Sequence, residues 1–179
     1  MEHYYEDIVG WFDFQAVYQK AVKEAKENSH FVEVGSWKGK SSVFMGVEII
    51  NSGKKIRFDC VDIWEPDKAS IKYNFDPHEA FEEFKKNIEP VKSVLNYYKL
   101  SSEEASKRYP LNSLDFVFLD ASHYFEDVYE DVTLWYPLVK KGGLFGGHDY
   151  QHGSVKIAID KFGLKPEVIK DSWLIGKLR

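Results

Sequence analysis

The sequence predicts an α/β fold: a mostly parallel sheet of seven strands with helices on both faces and an antiparallel last strand. The main observation is an alternation of segments. Short apolar runs typical of buried strands alternate with segments in which apolar residues recur every three or four positions. The chain of 179 residues has 44% hydrophobic and 30% charged residues, and we expect one globular domain over residues 1–179.

In the first half of the chain, helices and strands alternate. The predicted elements are a helix over residues 12–27, a strand over 31–34, a helix over 41–50 and a strand over 56–63. The first helix lies in an N-terminal helical segment, residues 1–30, and Gly53 ends the second helix in a typical C-cap. The chain has one cysteine, which excludes an internal disulfide framework, and this residue, Cys60, is expected in the core.

Residues 65–92 are different, because they are polar and aromatic and contain three prolines. Asp76, Pro77 and Glu79 form the start signal of a helix that is expected to end near Asn87, and the remainder is expected to be loop. We predict that this segment is a lid over a ligand site. Its aromatic residues include Tyr73, Phe75, Phe81 and Phe84.

The second half continues the alternation. The predicted elements are a strand over 95–100, a helix over 101–108, a strand over 114–120, a helix from 125 to about 140, a strand over 144–147, a helix over 155–162, and strands over 168–169 and 173–175. The run Leu114–Asp120 is the clearest strand, because it is continuously apolar between two aspartates, as a buried parallel strand requires.

Charge and hydropathy argue against several partners. The formal net charge is −5, which disfavours a broad nucleic acid-binding surface. The first residues lack the basic and apolar regions of a signal peptide, and no apolar stretch approaches the roughly 18 residues of a membrane span. We therefore expect a cytoplasmic protein without a nucleic-acid or membrane partner.

Ligands bind at the carboxyl ends of the strands in an open parallel sheet, so the residues after each strand are candidates for a site. After the first strand, Gly35 and Gly39 would let the backbone turn sharply and approach a ligand. The segment Gly35–Ser41 is one residue short of a P-loop, and Asp120 resembles a Walker B aspartate. A shorter loop loses part of its phosphate-binding amide nest, and no arginine directly follows a predicted strand.

A nucleoside without a polyphosphate fits the spacing better than a nucleotide does. Asp62 follows Gly35 by 27 residues and ends the second strand, where a carboxylate can accept hydrogen bonds from both ribose hydroxyls. Without a pyrophosphate, the third glycine of a dinucleotide site is not needed. A nucleotide-dependent phosphotransferase, and a glycine turn that serves packing alone, stay as alternatives.

Four motifs in this order resemble the class I S-adenosylmethionine-dependent methyltransferases, most closely their small-molecule O-methyltransferase-like branch. They are Phe31–Ser42, Val61–Trp64, Leu114–Tyr124 and Gly142–Tyr150, within a resemblance over residues 11–162. The resemblance implies a Rossmann-like fold, S-adenosylmethionine as cofactor, and methylation of a hydroxyl on a small molecule or sugar. The other alternative is a cofactor-binding module without catalysis.

The resemblance also implies where the cofactor binds. The glycine loop would lie beside its methionine and ribose parts, Ser41 would help to hold its carboxylate, and Asp62 would bind the ribose. Ile63 and Trp64 would pack near the adenine, and Ser101 or Ser102 would contact the adenine edge. The implied cofactor-binding residues are Glu33, Gly35, Ser36, Gly39, Ser41, Asp62, Ile63, Trp64, Ser101, Ser102 and Asp120.

Asp120 and His123 form the candidate catalytic pair after the fourth strand. In catechol-type O-methyltransferases, which this region resembles, an aspartate here binds magnesium and a lysine three residues later is the base. His123 replaces that lysine as candidate general base, since imidazole accepts a proton at neutral pH. Asp149 matches the second metal carboxylate, so Asp120 and Asp149 would suit Mg²⁺ or another divalent cation, although Tyr150 replaces the usual third ligand.

Each of these two residues also has a simpler alternative role. In the alternative, Asp120 lines the cofactor pocket without a metal, and His123 caps the next helix. His148 and His152 are interpreted as polar loop residues. Since the chain has no room for a separate acceptor domain, we expect a small methyl acceptor, or one held partly by a second subunit in a homodimer.

Overall fold

A computed structural model describes residues 1–66 and 68–178, without the side chains of residues 68, 69 and 73. The strands are β1 (Ser29–Val34), β2 (Ile56–Asp62), β3 (Leu95–Lys99), β4 (Leu114–Leu119), β5 (Val139–Gly147), β6 (Glu167–Ile169) and β7 (Ser172–Gly176). The α-helices are α1 (Gln15–Glu24), α2 (Lys40–Ser52), α3 (Lys68–Tyr73), α4 (Pro77–Ile88), α5 (Ser102–Ser106), α6 (Phe125–Trp135) and α7 (Gly153–Phe162).

The strands form one sheet in the order β3-β2-β1-β4-β5-β7-β6. β1 pairs in parallel with β2 and β4, and the parallel pairing extends to β3 and β5. Only β7 runs against the other strands, between β5 and β6. The predicted seven-stranded sheet with an antiparallel last strand is therefore confirmed, and the carboxyl ends of β1 to β5 meet at one edge.

Two apolar layers hold the helices against the sheet. Alternate residues of a strand point to opposite faces, so Phe116 and Phe118 of β4 join the layer under α1, α2 and α4. Val117 and Leu119 join the layer under α5, α6 and α7. Cys60 is fully buried, as predicted. Among the described residues, no helix combines the length and the apolar character needed to cross a bilayer.

Two predictions about the elements are wrong. Residues 68–73 form α3 instead of loop, because so short a helix carries no readable apolar period. The helix α6 ends at Trp135 instead of near residue 140, since a 3₁₀ turn containing Pro137 follows it. As a result β5 begins at Val139, five residues before the predicted start.

The segment 65–92 packs on the sheet through α4. Ala80, Phe84 and Ile88 on one side of α4 are buried in the layer that contains α2. Asp76 caps this helix as predicted, because its carboxylate accepts a hydrogen bond from the His78 amide at 2.8 Å. A lid role stays a prediction, and Asp67 and the side chain of Tyr73 lie outside the described residues.

Candidate active site and cofactor site

The glycine loop after β1 approaches the end of β4 very closely. Gly35 has φ +92°, and its amide donates to the Val61 carbonyl at 2.8 Å. A Cβ atom at Gly35 would lie 2.1 Å from the carbonyl oxygen of Asp120. Only glycine fits, because the position combines a left-handed conformation with backbone contact. Gly39, with φ +83°, is the N-cap of α2.

The carboxylate of Asp62 holds the glycine loop in place. One of its oxygens accepts hydrogen bonds from the amides of Ser36 at 2.8 Å and Trp37 at 2.7 Å. The other oxygen accepts from the Trp64 amide at 3.2 Å. Burial raises the pKa of Asp62, and these backbone N–H groups oppose that shift by stabilising the charged form. The loop therefore depends on a carboxyl group at the end of β2 whose two oxygens both accept hydrogen bonds from the backbone.

Replacing Asp62 by asparagine is expected to lower the free energy of unfolding by about 1–3 kcal/mol. Asparagine has one acceptor oxygen, so its NH₂ group would face at least one amide donor of Ser36, Trp37 or Trp64. Urea unfolding followed by circular dichroism measures the loss. The matched control is Asp76→Asn at the N-cap of α4, where asparagine caps as well as aspartate does. An equal loss in both variants would contradict the loop role of Asp62.

Glu33 lies beneath the loop, where it is 1% exposed. It accepts hydrogen bonds from the Tyr18 hydroxyl at 2.6 Å and the Ser36 hydroxyl at 2.9 Å, and from the Ser42 hydroxyl at the start of α2. Burial raises the pKa of Glu33, and the hydroxyl donors, Ser41 among them, oppose this shift. Glu33 thus joins α1, the glycine loop and α2 from within the core.

The four residues predicted near the adenine differ in their surroundings. Ile63 is exposed, whereas Trp64 is buried against Phe84 of α4 and donates from its indole to the Trp37 carbonyl at 2.8 Å. Ser101 is the N-cap of α5 in a capping box. The hydroxyl of Ser102 lies between α5 and α6.

A cluster of acids and histidines follows β4 and β5. Asp120, His123 and Asp149 each offer one atom to a group in which all three atoms lie within 4.8 Å of one another. The Nε2 atom of His123 is 2.6 Å from Oδ2 of Asp149. The amide of Tyr124 donates to the Ser122 hydroxyl, and no side chain caps α6 by a hydrogen bond. The alternative role of His123 as a helix cap is therefore not observed.

His148 completes this cluster and contradicts its interpretation as a simple loop residue. Its Nδ1 atom is 3.1 Å from Asp149 and 3.7 Å from Asp120. Its Nε2 atom is 2.8 Å from Asp13, which precedes α1. In the sequence, the only indication that His148 belongs to the site is its place beside Asp149 at the end of a strand. Nothing in the sequence indicates its contact with Asp13, because 135 residues separate the two.

The charges in the cluster compensate one another. Burial raises the pKa of Asp120 to about 7, and the charges of Asp149 and Glu33 add to this shift. Burial would raise the pKa of Asp149, but hydrogen bonds with His123 and His148 hold it well below its usual range. Burial would lower the pKa of His148, yet its acidic neighbours raise it to about 9. The hydrogen bond to Asp149 raises the pKa of His123.

The residues that form this edge of the sheet lie in a part of the sequence that matches a known family. A model of a family described as a methyltransferase domain matches residues 32–150, from the glycine loop to the acid–histidine cluster. The chain belongs to this family. It is therefore a class I S-adenosylmethionine-dependent methyltransferase, and the phosphotransferase alternative is wrong. No curated protein has a significantly similar sequence.

Solved structures share the fold of this methyltransferase. The O-methyltransferase NovP has a TM-score of 0.62 and 16% identity, over 93% of this chain and 80% of that chain. A proposed caffeoyl-CoA O-methyltransferase from Staphylococcus aureus has a TM-score of 0.65 and 15% identity, over 94% and 85%. A proposed rRNA methylase from Clostridium thermocellum has a TM-score of 0.67 and 13% identity, over 96% and 100%. These identities support a common fold alone.

Proposed function

We propose that this methyltransferase methylates a hydroxyl group of a small molecule, with His123 as general base and a divalent cation at Asp120 and Asp149. The observation that carries the proposal is the cluster of one imidazole and two carboxylates within 4.8 Å of one another. It lies beside the glycine loop, where Gly35 touches Asp120. A proton acceptor and a cation site thus adjoin the proposed methyl donor.

The cofactor would extend across the ends of β1 and β2. Its methionine part would lie along the glycine loop and the start of α2, where backbone N–H groups attract a carboxylate. Its ribose would bind Asp62, whose half-buried carboxylate lies at the end of β2 and already holds the glycine loop. Its adenine would then reach Ile63 and the residues after β3. Asp120 would lie near the sulfonium.

The chemistry needs alignment and one proton acceptor. The acceptor oxygen attacks the methyl carbon, an oxygen–carbon bond forms, the carbon–sulfur bond breaks, and S-adenosylhomocysteine leaves. The hydroxyl proton passes to His123, whose neutral imidazole donates from Nε2 to Asp149 and so presents Nδ1 as the acceptor atom. Well-aligned reactants can supply ~7–11 kcal/mol of the barrier reduction.

The donor set fits a divalent cation. Asp120 and Asp149 offer carboxylate oxygens, which suit Mg²⁺, and the nearby imidazole of His123 would also suit Mn²⁺. When bound, such a cation would polarise the acceptor hydroxyl and lower its pKa. We assign the two carboxylates to the cation and the imidazole to the proton.

The proposal is tested by calorimetry and turnover. We expect S-adenosylhomocysteine to bind without ATP–Mg²⁺ binding, and the enzyme to release it from S-adenosylmethionine with 3,4-dihydroxybenzoate or methyl α-D-glucopyranoside as acceptor. Turnover with tRNA or rRNA, and with neither small molecule, would contradict a small-molecule acceptor. Cofactor binding without turnover on any of these probes would favour the inactive binding module.

Removal of divalent cations is expected to lower turnover by about tenfold or more, because the carboxylates then lose the group that polarises the acceptor. Activity after dialysis against EDTA, and after addition of Mg²⁺ or Mn²⁺, measures the effect. The affinity for S-adenosylhomocysteine serves as the control and should change less than about twofold. Full activity in EDTA would overturn the cation assignment.

A further inference from the structure

The sheet has an exposed edge strand, β3, which has no role in the chemistry described above. β3 stands first in the sheet order and pairs with β2 alone. The Leu100 amide, directly after β3, donates to the Asp62 carbonyl at 3.0 Å. Backbone groups of successive strand residues point to opposite sides, so residues 96 and 98 bond to β2 as residue 100 does. Three residues direct their backbone N–H and C=O groups outward, where these groups meet no partner in the described part of the chain: Leu95, Tyr97 and Lys99.

The side chains of β3 leave this backbone edge open. Edge strands are commonly protected from pairing by a charge, a proline, a bulge or a covering element. The five residues of β3 include no proline and pair with β2 in an unbroken register. The one charge, on Lys99, is directed back to the protein, because Nζ is 2.7 Å from Glu65 and lies over the ring of Phe81. Tyr97 packs on Phe81 and Phe84 of α4.

An open groove of about 570 Å³ lies beside this edge. One wall is β3, and the other is formed by residues of α4 and of the turn that follows it: Lys85, Ile88, Glu89 and Lys92. The groove leaves room for the side chains of an added strand, which would pair with the outward backbone groups. The opposite edge of the sheet offers less, because β6 has only three residues.

The outward residues of β3 are self-complementary. In an antiparallel pair, two opposite residues whose backbone groups face each other exchange two hydrogen bonds. If Tyr97 lies on a two-fold axis, it faces Tyr97 of a second copy, and Leu95 of each copy faces Lys99 of the other. Every outward group of both strands then has a partner. A two-fold interface requires this reciprocity, since the same surface must serve both subunits.

The charges at the two ends of β3 fit the same symmetry. At the amino end Lys92 forms an ion pair with Glu89, and at the carboxyl end Lys99 forms one with Glu65. Antiparallel pairing brings the amino end of each strand beside the carboxyl end of the other, so each acid–base pair meets a second acid–base pair. Exposed ion pairs add little affinity, but opposite charges at both ends favour this orientation. A strand of unrelated sequence would match the backbone alone.

We propose that the protein forms a two-fold symmetric homodimer in which the β3 strands of two copies pair antiparallel about Tyr97. The two sheets then become one continuous sheet, and the edge that would otherwise promote aggregation is closed. This interface goes beyond the proposed function and does not depend on it.

Sedimentation of the wild-type chain over a range of concentrations tests the dimer, and we expect twice the mass of one chain. Tyr97→Pro removes the central outward N–H and should raise the dissociation constant by about tenfold or more. The fold should tolerate this change, because edge strands accept proline where the N–H faces solvent. Val168→Pro, on the opposite edge strand β6, is the matched control and should keep the wild-type dissociation constant.

A cysteine cross-link tests the register without a proline. In the proposed pair the Cα atoms of the two Tyr97 residues lie about 5.5 Å apart, which a disulfide can span. Oxidised Tyr97→Cys should therefore run as a covalent dimer on a non-reducing gel. Asn96→Cys is the matched control and should stay a single chain, because residue 96 faces residue 98 of the second copy. The native Cys60 is buried and does not interfere.

Three results would overturn the inference. A wild-type monomer at all concentrations would leave the edge to a strand of another protein. A dimer that Tyr97→Pro does not weaken would use another surface. Cross-linking of Asn96→Cys in place of Tyr97→Cys would contradict the two-fold register. If Tyr97→Pro does not fold, the two cysteine variants decide, and a covalent dimer of Tyr97→Cys alone supports the proposed interface.

Discussion

Replacing Gly35 by alanine is expected to lower the free energy of unfolding by about 2–5 kcal/mol. Part of this loss is conformational, because φ at this position is +92° and a side chain makes the left-handed region unfavourable. The larger part is steric. The new Cβ atom would lie 2.1 Å from the carbonyl oxygen and 2.4 Å from the carbonyl carbon of Asp120. Because both are backbone atoms, relief requires the loop after β1 and the end of β4 to separate.

Gly163→Ala is the matched control. Gly163 has φ +87°, and a Cβ atom there would meet no atom within 4 Å. This variant should therefore lose only the conformational part, about 1–2 kcal/mol. Urea unfolding of both variants measures the difference, and calorimetry with S-adenosylhomocysteine should show weaker binding for Gly35→Ala alone. Equal losses of stability would mean that the close approach of Gly35 to Asp120 has little energetic effect.

The sheet could be predicted because each strand is encoded locally. The apolar run of β4, bounded by two aspartates, has few alternatives to a buried parallel strand. The start of α4 could also be predicted, from Asp76 at the N-cap and Pro77 at the first helical position. In contrast, α3 is too short to show a period, and the end of α6 depends on a 3₁₀ turn that leads directly into β5.

The site was predictable where its residues follow strands, and not where distant segments meet. Asp120, His123 and Asp149 could be grouped because the carboxyl ends of parallel strands share one edge. The contact between His148 and Asp13 depends on the path of the segment before α1, which no local pattern encodes.

Replacing His123 by alanine is expected to lower kcat by about 10²–10⁴-fold, because the acceptor hydroxyl then loses the general base that we propose for it. The affinity for S-adenosylhomocysteine should change by less than about twofold, since the proposed function assigns His123 to proton transfer and not to the cofactor contacts. Turnover with the hydroxyl acceptor and calorimetry with the cofactor product measure the two effects separately. His78→Ala, which truncates an exposed histidine on α4, should keep both values near those of the wild type.

The metal content of His123→Ala separates a base from a ligand. Asp120 and Asp149 remain in this variant, so a cation held by these two carboxylates should still bind, and the loss of kcat then reports the missing proton acceptor. If the variant loses both its cation and its activity, and added Mn²⁺ restores both, His123 is a ligand instead. Weaker cofactor binding with an unchanged kcat would exclude both roles. In that case the 2.6 Å contact between His123 and Asp149 would only support the loop after β4.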